Sequence, residues 1–273
     1  MARSFRSRRG FTYVDVLVLA ALLVVGVTVV LPSLTRTRCG GSNRIKCASN
    51  LKQIGLAILL YSNENRGHYP RAYYVAGGEV KPVWGTGATS SDPFTGPEAN
   101  DVSAAMFLLL RTQDITSEVF TCPSSNAEKD TYGGGTNSAL NRANFTNVKK
   151  NLSYSLHNPY PSDGVIAEND KGYWTNSTSA EFAVASDINP GTTGKKDNVL
   201  LPNNTSSAKE MKWANSNNHD GDGQNVLFGD GHVEFLQNPF VGVQRDNIYT
   251  NKKSQVVASP VDAADSVLLP TDD

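Results

Sequence analysis

Nineteen consecutive uncharged residues, 16–34, follow an arginine-rich start and constrain the fold of this chain more than any other feature. The start contains Arg3, Arg6, Arg8 and Arg9 and no acidic residue among its first ten positions. As a helix, the apolar run would be about 28 Å long at ~1.5 Å per residue, close to the thickness of a bilayer core. Basic residues stay on the cytoplasmic side of a membrane. The sequence therefore predicts a transmembrane helix whose N-terminus is cytoplasmic.

The end of the apolar run differs from that of a cleaved secretory signal. Such signals have a shorter apolar centre followed by a small-residue cleavage site. Here Pro32 and Leu34 lead into Arg36 and Arg38, without an Ala-x-Ala sequence. We therefore expect a retained anchor rather than a removed signal. The protein would span the inner membrane once, with the rest of the chain in the periplasm or outside the cell.

The charge balance and the cysteine count exclude several classes of protein. The 25 Lys and Arg residues are balanced by 26 Asp and Glu residues, so the chain lacks the basic excess of a duplex-binding protein and no nucleic-acid partner is predicted. Three cysteines are too few for a disulfide-rich scaffold, and no Cys-x-x-Cys pair indicates a structural zinc site.

Asp15 stands at the head of the apolar run, where a carboxylate in hydrocarbon costs about 2.5–3.5 kcal/mol. It therefore needs a partner of opposite charge. If the chain were cut after Gly10, Phe11 would gain a free α-amine four residues before Asp15, on the same helix face. The two charges would neutralise each other within one chain or between neighbouring chains.

The residues from Arg8 to Asp15, followed by an apolar helix, resemble the processing site of type IV prepilins and type II secretion pseudopilins. The resemblance implies that a prepilin peptidase recognises Arg8, Arg9, Gly10 and Phe11 and cuts after Gly10. It also implies N-terminal methylation of Phe11. In that family the fifth mature residue is usually glutamate, and Asp15 takes this place.

The resemblance also implies an assembly role for Pro32, because many pilins carry a helix-kinking proline at this position. A proline inside a helix removes one hydrogen bond and bends the axis. The alternative is that Pro32 marks the end of the membrane span.

An amphipathic helix is predicted over residues 35–66. Apolar residues recur at intervals of three and four and so share one helix face: Cys47, Leu51, Ile54, Ile58 and Tyr61. Residues 65–67 supply a stop signal. Residues 11–65 would then form one helix of about 80 Å at ~1.5 Å per residue, which the glycine pair 40–41 is best placed to interrupt.

Residues 67–273 are enough for a single extracytoplasmic domain. Short apolar runs predict one helix and three strands in it: residues 102–110 for the helix, and residues 165–167, 182–185 and 226–228 for the strands. The polar segment 191–209 and the tail after residue 251 are expected to be exposed. The fold class that follows is α+β, with the long N-terminal helix packed on an antiparallel β-sheet as in pilins.

Cys122 comes at the end of a predicted strand that includes Phe120, and it would lie outside the cytoplasm, where disulfides form. A bridge from Cys47 to Cys122 would tie the amphipathic helix to the domain across 75 positions. It would stabilise the fold by about 4 kcal/mol. Two buried thiols are the alternative, and Cys39 competes for either partner.

A β-hairpin is predicted near the C-terminus, over residues 217–236. Val226 and Phe228 point to one side of its first strand, Gly229 and Gly231 allow the turn, and residues 233–235 form the return strand.

The hairpin also resembles the His-x9-Asp-Gly signature of a large family of prepilin-like bacterial proteins. His219, Asp230 and Gly231 carry this likeness, although ten residues separate His219 from Asp230. Residues 50–57 and 122–124 resemble the same family.

The hairpin has two alternatives to a purely structural role: calcium binding, and zinc binding or acid–base chemistry. Asp220, Asp222 and Gln224 stand at alternate positions, like the first three ligands of a calcium loop, with Asp187 as a candidate further ligand. No glutamate follows at the twelfth position, and Asx turns are the alternative role of these side chains.

The histidines supply the other chemistry. Zinc binding or acid–base chemistry would suit the side chains of His219, His232 and Asp230. The alternative is that a histidine at a hairpin edge forms hydrogen bonds with the backbone. The chain contains no Gly-x-Ser-x-Gly or His-Glu-x-x-His motif. No catalytic residue is therefore predicted, and no cofactor apart from the candidate calcium.

Together these features predict a non-enzymatic structural protein: a leader at 1–10, a transmembrane segment at 11–34, and an exported domain. It would be a prepilin or pseudopilin subunit of a type II secretion or type IV pilus-like system. Its partners would be prepilin peptidase, other pilin or pseudopilin subunits and the inner membrane. The alternative is a singly anchored extracytoplasmic binding protein or enzyme that shares the leader.

Overall fold

The chain divides into two structural units, Met1–Ser42 and Asn43–Asp273. A computed structural model describes five stretches of it: residues 13–23, 39–75, 81–162, 173–193 and 198–273. Within the first unit, residues 13–23 form a helix, α1, whose residues are all exposed.

The predicted membrane span stays a prediction. Among the described residues, no helix combines the length and the hydropathy that crossing a bilayer requires. Residues 11–12 and 24–34 of the predicted segment 11–34 lie outside the described residues.

Helix α2, Cys39–Glu64, matches the predicted amphipathic helix, and the predicted apolar face is the buried one. The glycine pair 40–41, the candidate point of interruption, is helical and lies in the first turn of α2. It ends because Arg66 and Gly67 adopt positive φ angles of 57° and 87°, and the Gly67 N–H donates to the carbonyl of Ser62 at 2.8 Å.

A five-stranded antiparallel sheet forms the centre of the second unit, in the spatial order β4-β3-β2-β1-β5. The strands are β1 Tyr154–His157, β2 Ala183–Asp187, β3 Gln224–Phe228, β4 Val233–Leu236 and β5 Leu268–Leu269. The α+β class with an antiparallel sheet is thereby confirmed. The apolar runs 182–185 and 226–228 correspond to β2 and β3, and 165–167 lies outside the described residues.

Both faces of this sheet are buried along β1, β2, β3 and β5, whereas the edge strand β4 is partly exposed. Leu227 of β3 packs toward α2, where a Cβ on Gly55 would come within 2.9 Å of the Leu227 side chain. Val226 and Phe228 point the other way, as predicted, into a second cluster that includes Tyr249. A sheet between two apolar layers buries alternate side chains on opposite sides.

The other helices within the described residues are short: α3 Val102–Thr112, α4 Val148–Asn151 and α5 Ala208–Met211. Helix α3 confirms the prediction for residues 102–110 and is buried along that whole length. Asp101 caps its N-terminus, because one carboxylate oxygen accepts the Ala104 N–H at 2.8 Å.

Two local predictions are wrong. The segment before Cys122 is a 3₁₀ turn, Ser117–Phe120, rather than a strand. The tail after residue 251 is anchored in the core, since β5 pairs with β1 and Asp265 is fully buried. Backbone N–H groups of Val261 and Lys252 donate to the Asp265 carboxylate at 2.7 and 3.3 Å.

Asp265 in this anchored tail lies next to Asp246, and this pair of carboxyl groups predicts that the free energy of unfolding depends on pH. Burial, then the charge and hydrogen bond of Asp265, raise the pKa of Asp246 from 3.8 to about 7. A carboxyl group whose pKa is raised by folding stabilises least when it is ionised. We therefore expect the free energy of unfolding to fall as pH rises from about 4 to 8. The fall should be about 1–2 kcal/mol, less than the full linkage value because Asp246 is half-buried.

Urea unfolding at several pH values measures this effect. Asp246→Asn should flatten the decline, and Asp114→Asn, at an exposed position, should leave it unchanged. A decline that persists in Asp246→Asn would assign the titration to another group.

Candidate functional site

The predicted hairpin is present, with shorter bounds than 217–236. β3 and β4 pair from Gln224 opposite Leu236 to Leu227 opposite Val233. Gly231 adopts a φ of 82° in the turn, and its carbonyl accepts from Nζ of Lys52 on α2 at 2.5 Å. The first residues of the predicted segment, Asn217–His219, form a 3₁₀ turn instead of strand.

His219 is buried rather than placed at a hairpin edge. Only 5% of its surface is exposed. Its Nε2 lies 3.2 Å from Oδ2 of Asp187 and 3.2 Å from Nδ2 of Asn225. The ring of Phe235 meets the imidazole edge to face, with centroids 5.7 Å apart. The imidazole is thus fixed by polar contacts on one side and an aromatic ring on another.

Asp187 ends β2 and is the polar centre of this region, with none of its surface exposed. Its Oδ2 accepts from the backbone N–H and from Nδ2 of Asn225 at 2.6 and 2.9 Å, and its Oδ1 accepts from Nδ2 of Asn218 at 2.9 Å. Burial, and next the negative charge of Asp187, hold the pKa of Tyr154 well above its usual value. The carboxylate is therefore surrounded by donors that orient it.

The Cys47–Cys122 disulfide is present beside this pair, with the two Cα atoms 5.2 Å apart. It joins α2 to the segment that leads toward β1. One ligand atom from each of Cys47, Cys122, Asp187 and His219 lies within 4.8 Å of every other, and all four residues are buried. We call these four residues the Cys-His-Asp cluster.

The predicted calcium ligands face different surroundings. Asp222 is partly exposed and pairs with Arg44 at 2.9 Å and with Lys212 at 2.5 Å; the Lys212 hydrogen bond is the main cause of its lowered pKa. Gln224 is buried and donates to the carbonyl of Asn238 at 2.7 Å. Asp220 is exposed at a left-handed φ of 56°. Asp222 and Gln224 thus have separate hydrogen-bond partners, and Asp187 belongs to the Cys-His-Asp cluster. Calcium binding by Asp220, Asp222 and Gln224 stays a prediction.

The predicted group of His219, His232 and Asp230 is also divided. Asp230 and His232 lie at the hairpin turn, where Nδ1 of His232 is 2.5 Å from the Asp230 carboxylate and both side chains are half-exposed. The backbone N–H of His232 is the first cause of the lowered pKa of Asp230. His219 lies before the opposite end of β3, so these three residues do not form one site.

A cavity of about 340 Å³, with His157, Tyr173 and Trp174 in its lining, was not predicted. Burial lowers the pKa of His157 to about 3, so its imidazole is neutral. Nδ1 of His157 accepts the Val267 N–H at 3.3 Å, and Nε2 lies 2.8 Å from the Tyr173 hydroxyl. These bonds occupy both ring nitrogens and favour a structural role.

The predicted processing residues Arg8, Arg9, Gly10 and Phe11 lie outside the described residues, as does Pro32. Their roles stay predictions. Asp15 lies in α1 and is exposed.

No protein-family model, no curated protein and no solved structure matches this chain.

Proposed function

We propose that this chain is a prepilin-like structural subunit, cut after Gly10 and assembled through its N-terminal helix in a type II secretion or type IV pilus-like system. In this proposal it carries out no catalysis. Prepilin peptidase acts on the leader, and the partners of the mature chain are the inner membrane and other pilin or pseudopilin subunits.

The exposed apolar surface of α1 is the observation that carries the proposal. Eight large side chains between residues 13 and 23 are each more than half exposed: Tyr13, Val14, Val16, Leu17, Val18, Leu19, Leu22 and Leu23. Burying side chains of this size stabilises a protein by about 1.5–3 kcal/mol each. The segment therefore favours lipid or neighbouring subunits by on the order of 10 kcal/mol.

Helix α2 supports the same proposal from the second unit. It buries its apolar face against an antiparallel sheet and is fixed there by the Cys47–Cys122 bridge. Lys52 adds a bond to the hairpin turn at Gly231. A filament subunit needs such a firm link between helix and domain, because force on the filament passes through it.

Asp15 would set the axial position of each subunit. Once Gly10 is removed, the α-amine of Phe11 and the carboxylate of Asp15 carry opposite charges. Two unit charges 4 Å apart attract by about 4 kcal/mol at an effective dielectric constant near 20. Pairing between neighbours would therefore favour one register over shifted ones.

Processing provides the test. In membranes that contain a prepilin peptidase, mass spectrometry of the wild-type chain should find Phe11, methylated, as the first residue. Gly10→Val should block the cut, because a bulky residue replaces the small one on the scissile bond, and leave an intact leader. The matched control is Gly41→Ala, at an exposed helical glycine with open space around it, which should be processed like wild type.

A mature chain that keeps Met1 and its arginines would contradict the proposal. Catalytic turnover or ligand binding by such an unprocessed chain would instead support the singly anchored enzyme or binding protein.

A further inference from the structure

We propose that the Cys-His-Asp cluster binds one zinc ion when its disulfide is reduced, with Cys47 and Cys122 thiolates, the His219 imidazole and the Asp187 carboxylate as the four ligands. The site would alternate between two states, a disulfide and a zinc complex.

The ligand types and their number fit zinc. Structural zinc sites are tetrahedral and take thiolate, imidazole and carboxylate ligands. Thiolates also select zinc over calcium and magnesium, which prefer oxygen. Within the described residues, this cluster brings four such groups to one place from four parts of the chain: α2, the turn after Phe120, β2 and the turn before β3.

The distances between the four ligand atoms also fit a zinc site. With zinc–sulfur distances of about 2.3 Å and zinc–nitrogen or zinc–oxygen distances of about 2.0–2.2 Å, neighbouring ligand atoms of a tetrahedral site are roughly 3.3–3.8 Å apart. The four ligand atoms already lie within 4.8 Å of one another. The largest change is the separation of the two sulfur atoms after the bond between them is broken.

The surroundings already orient the ligands. Asn225 and Asn218 donate three hydrogen bonds to the Asp187 carboxylate, and Phe235 packs on the His219 ring. Bonds of this kind fix metal ligands in known sites and raise metal affinity. Nε2 of His219 now faces the Asp187 carboxylate, and a zinc ion between them would replace this contact with two coordination bonds.

His219 is the cluster residue with the largest exposed fraction, 5%. Phe235 covers the imidazole, and the guanidinium of Arg44 packs 4.4 Å from the centroid of the Phe235 ring. Arg44 and its partner Asp222 are partly exposed. One layer of side chains therefore separates His219 from solvent.

A dithiol reductant transfers two electrons and two protons to the Cys47–Cys122 bond, giving two thiols, and is itself oxidised to a disulfide. Zn²⁺ then replaces the two thiol protons, which pass to solvent. Reoxidation by a disulfide of an exchange partner reforms the bridge and releases the ion.

Cobalt is the probe, because Co²⁺ reports its ligands in the visible spectrum and zinc displaces it. The full chain in detergent is reduced with a phosphine, cleared of reductant and titrated with Co²⁺ under argon. We expect one Co²⁺ per chain, thiolate-to-cobalt charge transfer and the intense bands of a tetrahedral site, all lost on addition of one equivalent of Zn²⁺. The oxidised chain should give none of these signals.

Variants identify the ligands. His219→Gln and Asp187→Asn should each weaken cobalt binding at least about tenfold, in keeping with the loss of a tightly held ligand. Cys39→Ser and His232→Gln remove a thiol and an imidazole from outside the cluster and should leave the spectrum unchanged.

Folding is followed by circular dichroism in the same samples. If the reduced chain unfolds and one equivalent of zinc restores it, the proposal is supported, because metal binding then supplies folding energy. A reduced chain that stays folded and binds no cobalt would overturn it. Unfolding that zinc does not reverse would do so too, as would cobalt binding that survives both His219→Gln and Asp187→Asn.

Discussion

A chain of residues 43–273 should remain soluble without detergent, whereas the full chain should require detergent or membranes. Residues 43–273 form one of the two structural units and contain the sheet, α3 and the buried face of α2. The shortened chain lacks α1 and with it the eight exposed apolar side chains, which favour an apolar environment by on the order of 10 kcal/mol. It also lacks Cys39, so no third thiol can exchange with the bridge.

Sedimentation of cell extracts with and without detergent, followed by size-exclusion chromatography, measures this difference. The full chain carrying Cys39→Ser is the matched control and should sediment with membranes, which separates the effect of α1 from that of the lost thiol. A shortened chain that folds but still sediments with membranes would place the membrane affinity in the second unit. A full chain that is soluble alone would remove the main support for the proposed function.

The parts of the fold that could be predicted from the sequence are those set by local pattern. The spacing of Leu51, Ile54 and Ile58 fixes which face of α2 is buried, because residues three and four apart share a face of any helix. The hairpin could be predicted for a similar reason. Its glycines allow a turn between Val226 and Val233, and the apolar residues alternate on both sides.

The Cys-His-Asp cluster could not be predicted, because it depends on sheet register. Asp187 and His219 are 32 positions apart and meet only when β2 lies beside β3 and the turn before β3 folds back. The sequence around His219 has the composition of an exposed loop, so it does not indicate that the imidazole is buried. The sequence predicts a Cys47–Cys122 bridge, but it does not indicate that Asp187 and His219 lie next to this bridge.

Buried asparagines explain the errors in the C-terminal half. Segments rich in Asn and Ser usually stay exposed, and the tail after residue 251 was expected to do so. Instead, Asn251 accepts the backbone N–H groups of Lys253 and Gln255 at 3.0 and 2.9 Å, and Asn189 donates to the carbonyl of Leu268 at 2.9 Å. In this chain, side-chain amides satisfy backbone groups that regular elements would otherwise pair, so polar composition does not indicate exposure.

The same principle predicts the largest loss of stability from one substitution. We expect Asp187→Ala to lower the free energy of unfolding of the oxidised 43–273 chain by about 3–5 kcal/mol. The change would leave the N–H donors of Asn218 and Asn225 buried without their acceptor. It would also remove the carboxylate that faces the buried imidazole of His219. Each buried donor left unsatisfied costs about 1–3 kcal/mol. Domains of this kind are stable by only about 5–15 kcal/mol in total.

Urea unfolding without reductant measures the loss while the disulfide stays closed, so zinc plays no part in it. Asp187→Asn keeps the shape and one acceptor oxygen but places an amide group near the donors, and we expect an intermediate loss of about 2 kcal/mol. Asp114→Ala, at an exposed aspartate, is the matched control and should change stability by less than about 0.5 kcal/mol. If Asp187→Ala cost no more than Asp114→Ala, the carboxylate would not be the centre that holds the hairpin, the sheet and the bridge together.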